Sequence, residues 1–217
     1  MATIYSYHSL RHLSEGSYHE SGSKFLAYAL PTENREQFEA EYNQIKSLHP
    51  KARHHCYAYR ILDRDEITDF ASDAGEPSGS AGQPILGELR RNHLVNVAVI
   101  VVRYFGGTKL GIPGLIHAYR ESTASAISAN ETILVTRTTK YAMDTPLALQ
   151  PQFYSACKQC GIEIVDTSYD DRFHAHINIP LEYVSEKLNQ LLSIMAGREG
   201  ETELLAEWMG VRIISDE

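Results

Sequence analysis

The sequence has 217 residues, a formal net charge of −8 and 43% hydrophobic residues, values typical of a globular chain with one large domain or two small ones. No apolar stretch approaches the roughly 20 residues of a membrane-spanning helix, and the acidic total charge gives no global signal for nucleic-acid binding. The odd number of cysteines, three, argues against a disulfide framework and for a reducing compartment. We therefore expect a cytoplasmic protein without a cofactor.

Residues 1–22 are polar and weakly patterned, which predicts a poorly ordered lead-in. After them, apolar alternation predicts strands, and an apolar stripe at helical spacing predicts a helix that Asn34 caps and that Pro50 ends. The predicted strands of this region are residues 24–30, 55–62 and 67–71.

The segment 72–127 contains two glycine-rich loops, at residues 75–82 and 106–114, on either side of an apolar run. This run, residues 95–103, predicts a buried central strand. Each loop leads into a helical pattern, a short one from Gln83-Pro84 and a longer one over residues 114–128. Between Pro77 and Arg120, only one acid, Glu88, accompanies the cations, which are Arg90, Arg91, Arg103, Lys109 and Arg120.

The glycine loops are candidates for phosphate binding, because consecutive backbone N–H groups beside a helix N-terminus form an anion site. The second loop does not match the spacing of a P-loop or of a dinucleotide-binding fingerprint. Tight strand-to-helix turns without a ligand are the alternative interpretation. The candidate phosphate or nucleic-acid contacts are Arg103, Tyr104, Gly106, Gly107, Lys109, Gly111, Gly114, Tyr119, Arg120, Arg90 and Arg91, with Tyr104, Phe105 and Tyr119 as candidates for stacking on bases.

Polar side chains in and near the first loop form a second candidate group: Asp73, Glu76, Ser78, Ser80, Gln83, His54 and His55. Paired acids can bind a metal or act in acid–base chemistry, but turn formation and helix capping explain them better, so we predict no metal site. Adjacent strand residues point to opposite faces, so only one of the two histidines can face the loops. Arg103 has a structural alternative, an ion pair with Asp73 or Glu76.

A domain boundary is predicted near Arg137, because residues 138–217 are strongly acidic, with 6 Lys/Arg against 13 Asp/Glu, and regularly patterned. The lone C-x-x-C of Cys157 and Cys160 lacks a second pair and is interpreted as structural. The order of predicted elements, β-α-β-β-α-β, is ferredoxin-like. The predicted strands are residues 138–144, 162–168, 173–179, 201–206 and 209–214, and the predicted helices are residues 151–160 and 181–195.

Three segments, SDAGEPSGSAGQP, VIVVRYFGGTKLG and GLIHAY, resemble the signature of the IMPACT family, and GSKF and HHCYAYR are similar to its flanking motifs. The resemblance covers about residues 20–130, and the remainder resembles the C-terminal domain of bacterial members. It implies an α+β protein in two parts. Residues 23–137 would form an α/β sandwich similar to the second domain of ribosomal small-subunit protein five, and residues 138–217 a ferredoxin-like domain similar to one in elongation factor G.

In function, the resemblance implies a link to translation control. Eukaryotic relatives curb the kinase that phosphorylates initiation factor 2, and they carry an extra N-terminal recognition domain for which this chain has no room. For bacterial-type members the resemblance implies RNA or ribosome binding and no particular reaction. The chain departs from the family pattern at Ala74, at Gly111-Ile112-Pro113-Gly114-Leu115 and at Arg120. Two alternatives stay open: an enzyme or small-molecule site for a phosphorylated ligand between the glycine loops, and a protein-interaction module that uses the acidic C-terminal domain.

Overall fold

The computed structural model describes residues 2–215 of the chain. They form a two-part α+β protein whose compact units are Met1–Val135 and Thr136–Glu217, each with its own buried core. The division lies beside Arg137, where the charge and the pattern of the sequence change. In the described part of the chain, no helix has both the length and the apolar character needed to cross a membrane.

The first unit is built on a five-stranded antiparallel sheet in the order β2-β3-β6-β4-β5. A further pair, β1 with β7, lies outside this sheet. The elements in chain order are β1 (Ser6–Leu10), β2 (Ser14–Glu20), β3 (Ser23–Pro31), α1 (Arg35–Leu48), β4 (His54–Asp63), β5 (Glu66–Ser72), α2 (Gly82–Arg91), β6 (Val97–Tyr104), α3 (Gly111–Ser128) and β7 (Thr132–Thr136).

Helices cover both faces of this sheet, and the central strand β6 is buried on both sides. Val99 and its alternate neighbours pack in the core that contains α2 and α3, whereas Ile100 and its alternate neighbours pack in the core that contains α1. A strand covered on both faces needs apolar residues at every position, which explains the continuous apolar run in the sequence. Asn34 caps α1 as predicted, with its side chain accepting from the Gln37 N–H at 2.9 Å.

The prediction of a poorly ordered lead-in at residues 1–22 is wrong for its described part, which contains β1 and β2. The apolar pattern missed β2 because close packing against α3 requires small and polar residues there. Ser14 donates from Oγ to the carbonyl of Ala126 at 2.8 Å. A Cβ at Gly16 would overlap the backbone of Ser125 and Ala126. β7 was also missed.

The second unit has a four-stranded antiparallel sheet in the order β11-β8-β10-β9, with helices α4 and α5 in the predicted β-α-β-β-α-β succession. The strand predicted at residues 201–206 is wrong, because that segment is part of an additional helix, α6. Leu205 and Met209, four residues apart, are buried on one side of it. The elements are β8 (Thr138–Thr145), α4 (Gln150–Cys160), β9 (Glu163–Tyr169), β10 (Phe173–Pro180), α5 (Val184–Ala196), α6 (Thr202–Met209) and β11 (Arg212–Ser215).

Limited proteolysis should release a stable fragment that covers about residues 138–217. The second unit has its own core, so cleavage near Arg137 leaves it folded. Mass spectrometry of the early fragments is the measurement. Early cuts concentrated in β9 and β10 would contradict a separately stable second unit.

Candidate functional site

The first glycine loop is closed by its own carboxylate. Asp73 accepts from the backbone N–H groups of Gly79 at 2.7 Å and of Ala81 and Gly82 at 2.9 Å each. Burial alone would raise the pKa of Asp73, but these three donors hold it below its ordinary value. Because α2 begins at Gly82, Asp73 already occupies the anion site at that helix N-terminus. The prediction that this loop cradles a phosphate is therefore wrong.

Next to that loop, Glu76 and Arg103 form a buried ion pair. The Arg103 Nη1 lies 2.7 Å from the Glu76 Oε1, and the two side chains are only 7% and 3% exposed. The hydroxyl of Tyr119 donates to the same Glu76 oxygen at 2.9 Å. Arg103 thus follows the structural alternative, a pair with Glu76, rather than the predicted contact with phosphate.

Tyr119 cannot stack on a base as predicted, because its side chain is completely buried. Its hydroxyl also lies 3.2 Å from the thiol of Cys56, which is 3.0 Å from the Asp73 carbonyl oxygen. Burial raises the pKa of the Cys56 thiol to about 12, so the thiol is not a nucleophile at neutral pH. Together these contacts tie the first loop to β4, β6 and α3.

In the second glycine loop, Gly106 approaches protein backbone rather than a ligand. A Cβ at this position would overlap the backbone of Gly22 and Ser23, and the Gly106 N–H donates to the Ser23 hydroxyl at 3.1 Å. Gly107 and Gly111 have left-handed φ values of +89° and +70°, which glycine adopts most easily. Gly106 is therefore structural, while residues 107–109 beyond it are exposed.

The cations counted in the sequence are largely balanced by acids. Arg90 pairs with Asp69 at 2.8 Å, and Arg91 and Arg120 lie 2.6 Å and 3.6 Å from Glu88. The predicted local excess of cations is therefore wrong as a description of the folded surface. It missed Asp69 and Glu76, which precede the counted window in the sequence but lie beside it in the fold. Among the candidates, Lys109 is exposed and makes no ion pair within residues 2–215.

A different set of cations meets at a cavity of about 400 Å³, which we call the basic pocket. No acid lines it. Lys51 and Arg53 are exposed and make no ion pair in the described part of the chain. The pocket's lining residues are Lys51, Arg53, His54, Arg103, Tyr104 and Phe105.

Aromatic side chains complete the basic pocket. Phe105 is 57% exposed, and the Arg103 guanidinium lies 5.4 Å from the ring centre of Phe25 and 5.5 Å from that of Phe105. The Tyr104 hydroxyl lies 2.9 Å from Nδ1 of His49. Three predicted residues, His54, Arg103 and Tyr104, thus come together here with Phe105. Lys51 and Arg53 were missed because they lie in the α1–β4 turn, far from the glycine loops in sequence.

The two adjacent histidines face opposite sides of β4, as strand geometry predicts. The Nδ1 of His54 lies 3.1 Å from the carbonyl oxygen of Ala74 in the first glycine loop. His55 lines a separate cavity of about 530 Å³ between α1 and β4, which we call the α1 cleft. Burial lowers the pKa of His55.

The remaining polar candidates do not converge on a site. Ser80 is buried and donates from Oγ to the Pro77 carbonyl at 2.6 Å, whereas Ser78 and Gln83 are exposed. Between residues 2 and 215, no group of three or more histidine, cysteine, aspartate or glutamate side chains is arranged to hold a metal ion. Cys157 and Cys160 are free and buried on α4, and burial raises the pKa of Cys157 to about 12.

Comparison with known proteins places these features in context. A model of the Impact N-terminal domain matches residues 21–127. A Haemophilus influenzae protein described as an IMPACT family member is 30% identical over 177 residues, which cover 81% of this chain and 86% of that protein. The Escherichia coli IMPACT family member YigZ is 29% identical over 176 residues, with the same shares. The crystal structure of a hypothetical protein has the same fold, with a TM-score of 0.67 over 99% of this chain and 98% of that chain at 24% identity.

Proposed function

Because this chain belongs to the IMPACT family as a bacterial YigZ-type member, we propose that it binds RNA, free or in the ribosome, in a role linked to translation control. The observation that carries this proposal is the basic pocket. Lys51 and Arg53 stand there without acidic partners, beside the exposed ring of Phe105, in a chain whose total charge is −8. The expected likeness of the units to domains of a ribosomal protein and of elongation factor G belongs to the same proposal.

The chemistry of the basic pocket fits a single strand better than a duplex. Unpaired cations attract backbone phosphates, and exposed aromatic rings offer faces on which unpaired bases stack. Phe105 presents such a face at the rim of the pocket, and the exposed Lys109 follows it in the second glycine loop. In this proposal Lys51, Arg53 and Lys109 contact phosphates, and Phe105 supports a base.

Replacing Lys51 and Arg53 together with alanine should weaken binding to many single-stranded RNA sequences about equally. Each lost phosphate contact releases fewer counterions, so the slope of log K against log salt should become shallower by about 0.7 per contact. Fluorescence anisotropy over a salt series on the full chain measures this slope.

The matched control for this experiment is Arg90→Ala, which removes an arginine already paired with Asp69 and should leave the slope nearly unchanged. Phe105→Ala should cost about 1–3 kcal/mol of binding with little change in slope. Thermal melts on the same variants identify any loss of folding. Unchanged RNA binding in a folded Lys51→Ala, Arg53→Ala variant would refute the proposal.

A second candidate function is the binding of a small phosphorylated ligand in the same pocket. Its volume of about 400 Å³ favours this candidate, because it lies in the range of small-molecule sites. Such a ligand would compete with RNA, and its binding would show a much shallower salt dependence than that of a polyanion.

A further inference from the structure

The α1 cleft is a second place where cations stand without acidic partners. Lys46, in the last turn of α1, and Arg53, just before β4, both line it, and none of its lining residues is an acid. Neither cation makes an ion pair in the portion of the chain that the structure covers. Asn43 adds an exposed side-chain amide one helical turn before Lys46.

His55 gives this cleft its chemical character. The side chain is buried, with only 6% exposed, and its Nε2 has no hydrogen-bond partner among the described residues. Buried polar atoms are nearly always hydrogen-bonded, so an unmatched ring nitrogen beside two unpaired cations indicates a missing partner. A protonated imidazole would donate from Nε2 to an anionic oxygen, and a bound anion would in turn stabilise that protonated form.

We propose that the α1 cleft binds a phosphate monoester, carried either by a small molecule or by the phosphorylated end of an RNA. A monoester bears about two negative charges near neutral pH and has three free oxygens, one each for Lys46, Arg53 and His55. A phosphodiester within an RNA chain has one charge and two free oxygens, and matches this set of donors less well. The inference goes beyond the proposed RNA binding, because inorganic phosphate alone tests it.

Binding should depend on the protonation of His55. The charged and titratable groups near its ring are Lys46 from α1, His49 at the end of α1, and Arg53 and His54 at the start of β4. On its other side the strand partner in β6 is the apolar Val102. These neighbours and burial disfavour the imidazolium in the empty cleft, so a bound dianion should raise the pKa of His55.

The first experiment titrates the full chain with sulfate and with inorganic phosphate, observing the His55 ring by NMR. Sulfate keeps its charge between about pH 8 and about pH 6, so a change in its affinity over this range reports on the protein. We expect sulfate to bind more tightly at the lower pH and the His55 ring signals to shift on binding. Absence of any shift in the His55 signals with either anion would overturn the inference.

Lys46→Ala is the test variant, because this exposed lysine can be removed without disturbing a buried side chain. It should weaken phosphate binding by about tenfold, as expected for the loss of one charge-assisted hydrogen bond. Lys158→Ala is the matched control, since Lys158 is an exposed lysine in the last turn of α4 and should leave binding unchanged. Equal weakening in both variants would mean nonspecific attraction and would also overturn the inference.

Two RNAs of identical sequence, one with a 5′-phosphate and one with a 5′-hydroxyl, distinguish the sources of the monoester. Tighter binding of the phosphorylated RNA, lost in Lys46→Ala, assigns the cleft to RNA ends. Equal binding of both RNAs, together with specific phosphate binding, assigns it to a small molecule. Failure of the Lys51→Ala, Arg53→Ala prediction leaves the test with Lys46→Ala intact, because Lys46 does not line the basic pocket.

Discussion

Replacing Glu76 with alanine is expected to lower the free energy of unfolding by about 3–5 kcal/mol, because it leaves the buried Arg103 without its counter-charge. The exposed fractions of 7% and 3% for the two side chains mean that water cannot compensate the lost partner. The variant also removes the acceptor of the Tyr119 hydroxyl. Urea denaturation of the full chain, followed by circular dichroism, measures the change.

Glu39→Ala is the matched control for Glu76→Ala. Glu39 pairs with Arg35 at 2.8 Å on the exposed face of α1, and such a pair contributes only about 0.3–0.5 kcal/mol. Adding Arg103→Met to Glu76→Ala should recover part of the stability, since the uncompensated charge is then gone. A loss below about 1 kcal/mol in Glu76→Ala would contradict a structural role for this ion pair.

Gly106→Ala is expected to destabilise the first unit by about 3 kcal/mol or more, at the upper end of the usual cost of overpacking. The added Cβ would overlap the backbone of Gly22 and Ser23, and backbone atoms, unlike the end of a flexible side chain, cannot move aside. The clash falls where β3 and β6 pair, between Lys24 and Tyr104. Thermal unfolding of the variant should show a lower Tm.

The control for Gly106→Ala is another glycine-to-alanine change in the same unit. Gly87 lies within α2, and a Cβ there meets nothing within 4 Å. Alanine at this position should raise stability by about 0.5–1 kcal/mol, since it reduces the entropy of the unfolded chain and favours the helix. If Gly106→Ala were as stable as the parent protein, the close approach of the two backbones would be refuted.

The sequence predicted most of the fold because helices and strands here follow from local patterns. The run before Arg103 could only be a strand buried on both faces, and the stripe after Asn34 could only be a helix. The pattern failed where tertiary packing decides the residue type. Ser14 and Gly16 look like loop residues, yet they form a strand because α3 lies against them.

The candidate site was harder to predict, because charge balance depends on residues distant in sequence. The cations after Pro77 seemed to lack partners, but Asp69 and Glu76 reach them through the fold. A glycine-rich loop gives no sign of whether its N–H groups are free, and here Asp73 takes three of them. Lys51 and Arg53 carry no motif, so only the three-dimensional arrangement reveals the basic pocket.

The position of β6 at the centre of the sheet has a consequence for the order of events during synthesis. The flanking pairs, β2 with β3 and β4 with β5, are each close in sequence and can form as hairpins as soon as they leave the ribosome. The inner edges of β3 and β4 both pair with β6, so they stay open until residues 97–104 have been made. Nascent chains should therefore be most prone to aggregate during this interval, when two unpaired strand edges are exposed together.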